Sequence, residues 1–187
     1  LYDQALLTLA YVDAFQATGA EEFAVTAKEI LHYILRDLAS PEGGFYSAED
    51  ADTEGEEGKF YLWTEQEIRS DLPEDLADFG IKVFSVKSGG NYFDSAERGR
   101  NGKNILHFSK PLNQLATEMN MTIDRFINEI GKCQRLLYEA RQKRVHPAKD
   151  DKIMTDWNGL MIAALARAGK VLNEPKYLKA AVKASDF

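Results

Sequence analysis

KRVHPAKDDKIMTDWNGLMIAALARAGK, residues Lys143 to Lys170, carries most of the information in this chain. A polar, charge-dense segment runs directly into a helix that is apolar on almost every side. The polar part holds Lys143, Arg144, His146, Pro147, the pair Asp150 and Asp151, Lys152, Asp156, Trp157 and Asn158. A helix without a polar face is expected to be buried all round. Its first turn carries unpaired amides and the positive end of the helix dipole, which favour anions and acceptors. Polar groups gathered there would sit at the mouth of a packed interior, which points to a site. His146 precedes Pro147, so its backbone is extended and outside any helix, where a histidine among carboxylates is suited to moving protons.

Outward from this stretch, the helical pattern repeats. Residues 2–18 read as a helix apolar around its circumference, with Gly19 as its stop; 21–38 read as an amphipathic helix with one apolar stripe. At the other end, 157–172 is apolar, Asn173 stops it, and Pro175 opens a second helix. The two pairs superpose without a gap at an offset of 154 residues: Leu6 falls on Leu160, Gly19 on Asn173 and Phe23 on Tyr177. This predicts a repeated helical hairpin, with 2–18 and 157–172 inner and heavily buried and the other two outside them.

Between the pairs the texture is mixed. GGFYSAEDADTEGEEGKFYLW, Gly43 to Trp63, predicts a β-hairpin whose two aromatic-rich arms flank a long acidic tip. Thr64 and Glu67 form a capping box for a short helix. Residues 76–86 read as helical, 88–107 as a long glycine- and asparagine-rich loop, and 122–144 as a long helix. The lone Cys133 has Phe126, Ile130 and Leu137 at helical spacing and is expected to be a buried, inert thiol. The fold class is therefore all-α, stacked helical hairpins with a small β-hairpin insertion.

Composition narrows the function. A net charge of −7 lacks the basic footprint of nucleic-acid binding and argues against an anionic membrane surface. No apolar run is long enough to span a bilayer, and no signal or transit peptide is visible, so a cytoplasmic protein is expected. The chain begins and ends inside helical patterns and reads as a piece of a longer protein.

Two groups of carboxylates supply candidates for acid/base chemistry on a sugar: Glu49, Asp50 and Asp52 near the hairpin, and Asp150, Asp151 and Asp156 before the last hairpin pair. Glu49, Asp50, Asp151 and His146 are the candidate catalytic residues. Tyr46, Trp63, Arg144, Asp150, Trp157 and Asn158 are the candidate substrate-binding residues, being flat apolar platforms and polar hydrogen-bonding groups. The opposing reading makes the aromatics core and lets the charges pair locally, Arg144 with Asp150 or Asp151. Asp50, Asp52, Glu54 and Gly55 imitate half a calcium loop, but Tyr61 stands where the bidentate Glu belongs. No metal and no cofactor is expected.

LYDQALL, GGFYSAEDADTEGEEGKFYLWT, NGKNILH and the Lys143–Lys170 stretch together resemble the helical portion of the thioredoxin-domain-containing proteins of the spermatogenesis-associated type. The resemblance implies a partial (α/α)6 toroid of the six-hairpin glycosidase kind, similar to N-acylglucosamine 2-epimerases. It makes residues 1–187 a fragment of one toroid domain, with the family's thioredoxin-like domain absent. It implies a carbohydrate ligand and an activity such as sugar 2-epimerase or glycoside hydrolase. The alternative is a non-catalytic binding or scaffold domain attached to a redox module. An incomplete ring would also expose an apolar edge through which copies associate.

Overall fold

In the computed structural model, which describes residues 1–93, 99 and 101–187, the described residues form eight α-helices, in consecutive pairs, with six two-residue strands between the pairs. In chain order these are α1 (Tyr2–Thr18), α2 (Glu21–Tyr33), β1 (Ala48–Glu49), β2 (Asp52–Thr53), β3 (Glu56–Glu57) and β4 (Trp63–Thr64). They continue with α3 (Glu65–Asp71), α4 (Glu74–Val83), β5 (Lys103–Asn104), α5 (Leu112–Glu118) and α6 (Ile123–Arg141). The chain closes with β6 (Lys149–Asp150), α7 (Thr155–Val171) and α8 (Pro175–Asp186). The mostly helical class with small β insertions is as expected. Part of the 88–107 loop, residues 94–98 and 100, lies outside the described residues.

Two compact units divide the chain, Leu1–Asp50 with Ala148–Phe187, and Ala51–Pro147. The first contains the repeated hairpins. Gly19 and Asn173, which superpose at the 154-residue offset, both adopt left-handed backbone, at φ 70° and 53°. Each ends the first helix of its pair, and α2 and α8 begin 154 residues apart. Helix α1 packs against both α2 and α7, and α7 also packs against α8. Tyr2 stacks on Trp157 near the starts of α1 and α7, while Arg167 pairs with Asp13 towards their ends, so the two helices run side by side in one direction. Ala5, Val12, Leu31, Ile34, Met161, Leu165 and Tyr177 form the core of this unit.

The expected all-round burial of the two central helices is not found. Leu6 is 49% exposed, Leu7 46% and Leu160 36%. The buried residues of α1 are Ala5, Thr8 and Val12, and those of α7 include Met161, Ala164, Leu165 and Ala168. A helix has room for two such neighbours on part of its circumference, and the remaining leucines face outward.

Helix α2 continues through a π-helical turn, Ile34–Leu38, before the chain extends at Ala39. The β-hairpin is present, but in a tighter form than the sequence suggested. Glu54 and Gly55, both at positive φ, turn β2 directly into β3, so the hairpin is the acidic tip itself. The flanking arms pair elsewhere: β1 with β6, and β4 with β5. Short strands have no periodicity from which to read a distant partner.

In the second unit, α3 starts at the capping box between Thr64 and Glu67. Helix α6 lays Phe126, Ile130, Cys133 and Leu137 onto a core with Trp63, Ile68, Val83 and Phe84. Helix α5, entered from Pro111, was not anticipated; at seven residues it is too short to show a helical period. Among the described residues no helix is long and apolar enough to cross a membrane.

Candidate functional site

The antiparallel pair β1–β6 brings the two acidic segments of the first unit together. Ala48 faces Asp150 and Glu49 faces Lys149, and the Asp50 amide donates to the Ala148 carbonyl at 2.8 Å. Side chains alternate along a strand, so Asp50 and Asp150 share one face of the pair and Glu49 and Lys149 the other. On their face Asp50 and Asp150 are diagonal cross-strand neighbours, a relation that sets residues about 7–8 Å apart.

Each carboxylate here has its own setting. The Lys152 ammonium, 2.6 Å from Asp150, holds its carboxyl below the usual range, and the Lys152 amide and Ser47 hydroxyl assist. The Ser47 amide donates to the Asp150 carbonyl at 3.1 Å, fixing the strand beneath it. Glu49 is half-buried and accepts a hydrogen bond from the Tyr33 hydroxyl at 2.8 Å. On that side Lys149 donates to the Asp37 carbonyl in the π-turn, tying the end of α2 to β6. Asp151 follows β6 and is exposed.

Of the aromatic and amide candidates in this unit, Tyr46 and Trp157 are half-buried against its core, and the Trp157 ring lies 4.8 Å from that of Tyr2. Asn158, expected to bind substrate, is spent on the chain. Its side chain accepts from the Phe45 amide at 2.8 Å and donates to the Phe45 and Met154 carbonyls at 3.0 and 2.9 Å. It pins the segment before β1 to the first turn of α7.

Trp63, Arg144 and His146 belong to the second unit. Trp63 is 2% exposed, and the Arg144 guanidinium covers its ring at 4.0 Å, so it is no open platform. Arg144 has partners within its own unit. Gly58, at φ 71°, begins a tight turn whose carbonyls point back at Arg144. One guanidinium nitrogen donates to the Phe60 and Leu62 carbonyls at 3.0 and 2.7 Å, and another meets Glu67 at 3.2 Å. His146 is exposed, with its ring 4.8 Å from that of Phe60 and a nitrogen 3.3 Å from the Gln142 carbonyl.

Around Arg144 lies a cavity of about 440 Å³ whose apolar lining is Phe60, Leu62 and Val145 and whose charged lining is Lys59, Lys103 and Lys143 with Glu54 and Glu67. Thr53 also lines it; the residue is 5% exposed and its hydroxyl has no hydrogen-bond partner among the described residues. Sequence reasoning missed Thr53, Lys59 and Lys103, and it noted Lys143 without giving it a role. Lysines near an acidic loop look like solvated neighbours until the fold gathers them. Among the described residues no group of His, Cys, Asp and Glu side chains could hold a metal ion.

No family model matches the chain. Over 204 aligned positions that include the whole chain, it is 33% identical to spermatogenesis-associated protein 20 of Homo sapiens and of Rattus norvegicus. The chain is a homologue of one segment of that protein. It spans 26% of the length of both relatives, and 28% of an uncharacterized Caenorhabditis elegans protein to which it is 30% identical. This relationship agrees with the resemblance carried by the glycine-aromatic-acidic segment and by the Lys143–Lys170 stretch.

Proposed function

We propose that this chain contributes the acid/base pair of a carbohydrate-acting helical toroid, and that the reaction is hydrolysis of a glycosidic bond. The observation that supports this reading is the diagonal relation of Asp50 and Asp150 on one face of β1–β6, a residue spacing of about 7–8 Å. Inverting glycosidases hold their two carboxyls about 6.5–9.5 Å apart, which leaves room for water between base and sugar. Asp150, kept ionised by Lys152, is the base that takes a proton from that water as its oxygen bonds to the anomeric carbon. Asp50 is the acid that protonates the departing oxygen as the glycosidic bond breaks. Tyr46 and Trp157 offer the apolar faces a sugar ring stacks on. A 2-epimerase is less well supported, because His146 is stacked on Phe60 and bonded near the end of α6.

A panel of aryl glycosides and oligosaccharides tests this. The protein should turn over one class, and Asp50→Asn or Asp150→Asn should lower its rate by about 10²–10⁴-fold, the usual weight of general acid/base catalysis. Turnover unchanged in both variants would overturn the assignment. The second reading, a binding domain attached to a redox module elsewhere in the parent protein, is favoured by the cavity of the second unit. It predicts ligand affinity without turnover.

A further inference from the structure

The cavity around Arg144 has a chemistry that acid/base work on a sugar does not use. Four cations, Lys59, Lys103, Lys143 and Arg144, line it in a chain whose net charge is −7. Lys59 pairs with Glu54 and Glu56, Lys103 with the same Glu56, and Arg144 with Glu67. Three carboxylates thus answer four cations, and Lys143 has no ion-pair partner among the described residues. Lys103 and Arg144 are only 23% and 21% exposed at their side chains, where screening by water is weakened and an anion is held more strongly. The buried, unpartnered Thr53 hydroxyl adds a donor that nothing in the described chain satisfies.

The apolar lining sets the rest of the ligand. Phe60, Leu62 and Val145 suit a ring or short hydrocarbon body, and about 440 Å³ fits a small organic molecule. We propose that this cavity binds a small ring-bodied molecule through one oxyanion, a sugar phosphate or a sugar acid, with Lys143 and Arg144 at the charged end and Thr53 beneath. Binding here does not rest on the activity of the Asp50–Asp150 pair.

The test is a titration of the whole chain, followed by amide chemical shifts, with glucose 6-phosphate, glucuronate, glucose and inorganic phosphate. Either anionic sugar should bind and shift amides around residues 53–67, 103 and 143–145; which of the two binds tighter identifies the oxyanion. Glucose should bind at least about tenfold more weakly, since a hydrogen bond to a charged group is worth roughly that factor or more. Lys143→Gln removes an exposed side chain with no ion pair among the described residues, so the fold should survive and affinity should fall about tenfold by the same measure. Thr53→Val should also weaken binding without unfolding the chain. Glucose binding as tightly as its phosphate, inorganic phosphate binding as tightly as the sugar phosphate, shifts confined to other residues, or Lys143→Gln without effect would each overturn the proposal.

Discussion

Asn104 illustrates how much of this molecule depends on single polar side chains. It is fully buried, accepts from the Lys87 amide at 2.9 Å, and donates towards the carbonyls of Trp63, Lys87 and Gly102. Asn104→Ala would orphan those groups and should cost about 2–4 kcal/mol, as buried polar networks do, measured by urea denaturation. Nothing in the NGKN segment announced this, because an asparagine among glycines reads as a loop residue. Cys133 was legible, since its apolar neighbours lie at helical spacing. Burial, with the nearby Glu129 carboxylate, pushes its thiol up to about 11. Iodoacetamide at pH 8 should therefore leave the native thiol unmodified and label it rapidly in denaturant. Among the carboxylates, the lysine partners of Glu56 and Asp150 hold both below their ordinary values. Their stabilising pairing is present above the unfolded carboxylate range, about pH 4, and is lost as pH falls through the lower folded values. Acid titrations of Asp150→Asn and the parent chain should therefore diverge above that range and converge at the lowest pH.

At the scale of elements, the repeated hairpin was written in the sequence and the strand pairings were not. Gly19 and Asn173 stop their helices at the same place in the repeat because glycine and asparagine tolerate left-handed backbone best. Amphipathic spacing located α2, α6 and α8, and the Thr64–Glu67 box located the start of α3. Strands of two residues carry no such record, so β1–β6, which assembles the candidate site, could be known only from the fold. The same hairpin gives a paired prediction about its packing. A Cβ at Gly169 would lie 2.7 Å from the Leu178 side chain and 3.0 Å from its backbone nitrogen, so this glycine sets the approach of α8 to α7. Gly169→Ala should destabilise by about 1–3 kcal/mol through overpacking. Gly159→Ala, where nothing lies within 4 Å, should instead gain up to about 1 kcal/mol from helix propensity. Thermal denaturation of the two variants should move in opposite directions.

For the molecule as a whole, the two acidic segments lie about a hundred residues apart in sequence and meet only because α7 and β6 return to the first hairpin. Their residue types were visible beforehand; which of those residues face one another across the strand pair was not. Trp63 and Arg144, also visible as types, turned out to cover one another in the second unit, which moves the weight of the proposed chemistry onto Asp50 and Asp150. The most direct test of that chemistry is the stereochemistry of the first product, read by proton NMR of the anomeric signal during hydrolysis of a responsive glycoside. Water activated by one carboxylate, with the leaving oxygen protonated by the other carboxyl group, attacks the face opposite the leaving group, so an inverted anomer should form first and later equilibrate by mutarotation. A first product with retained configuration would contradict it, since retention requires carboxyls only about 5–5.5 Å apart and a covalent intermediate on one of them.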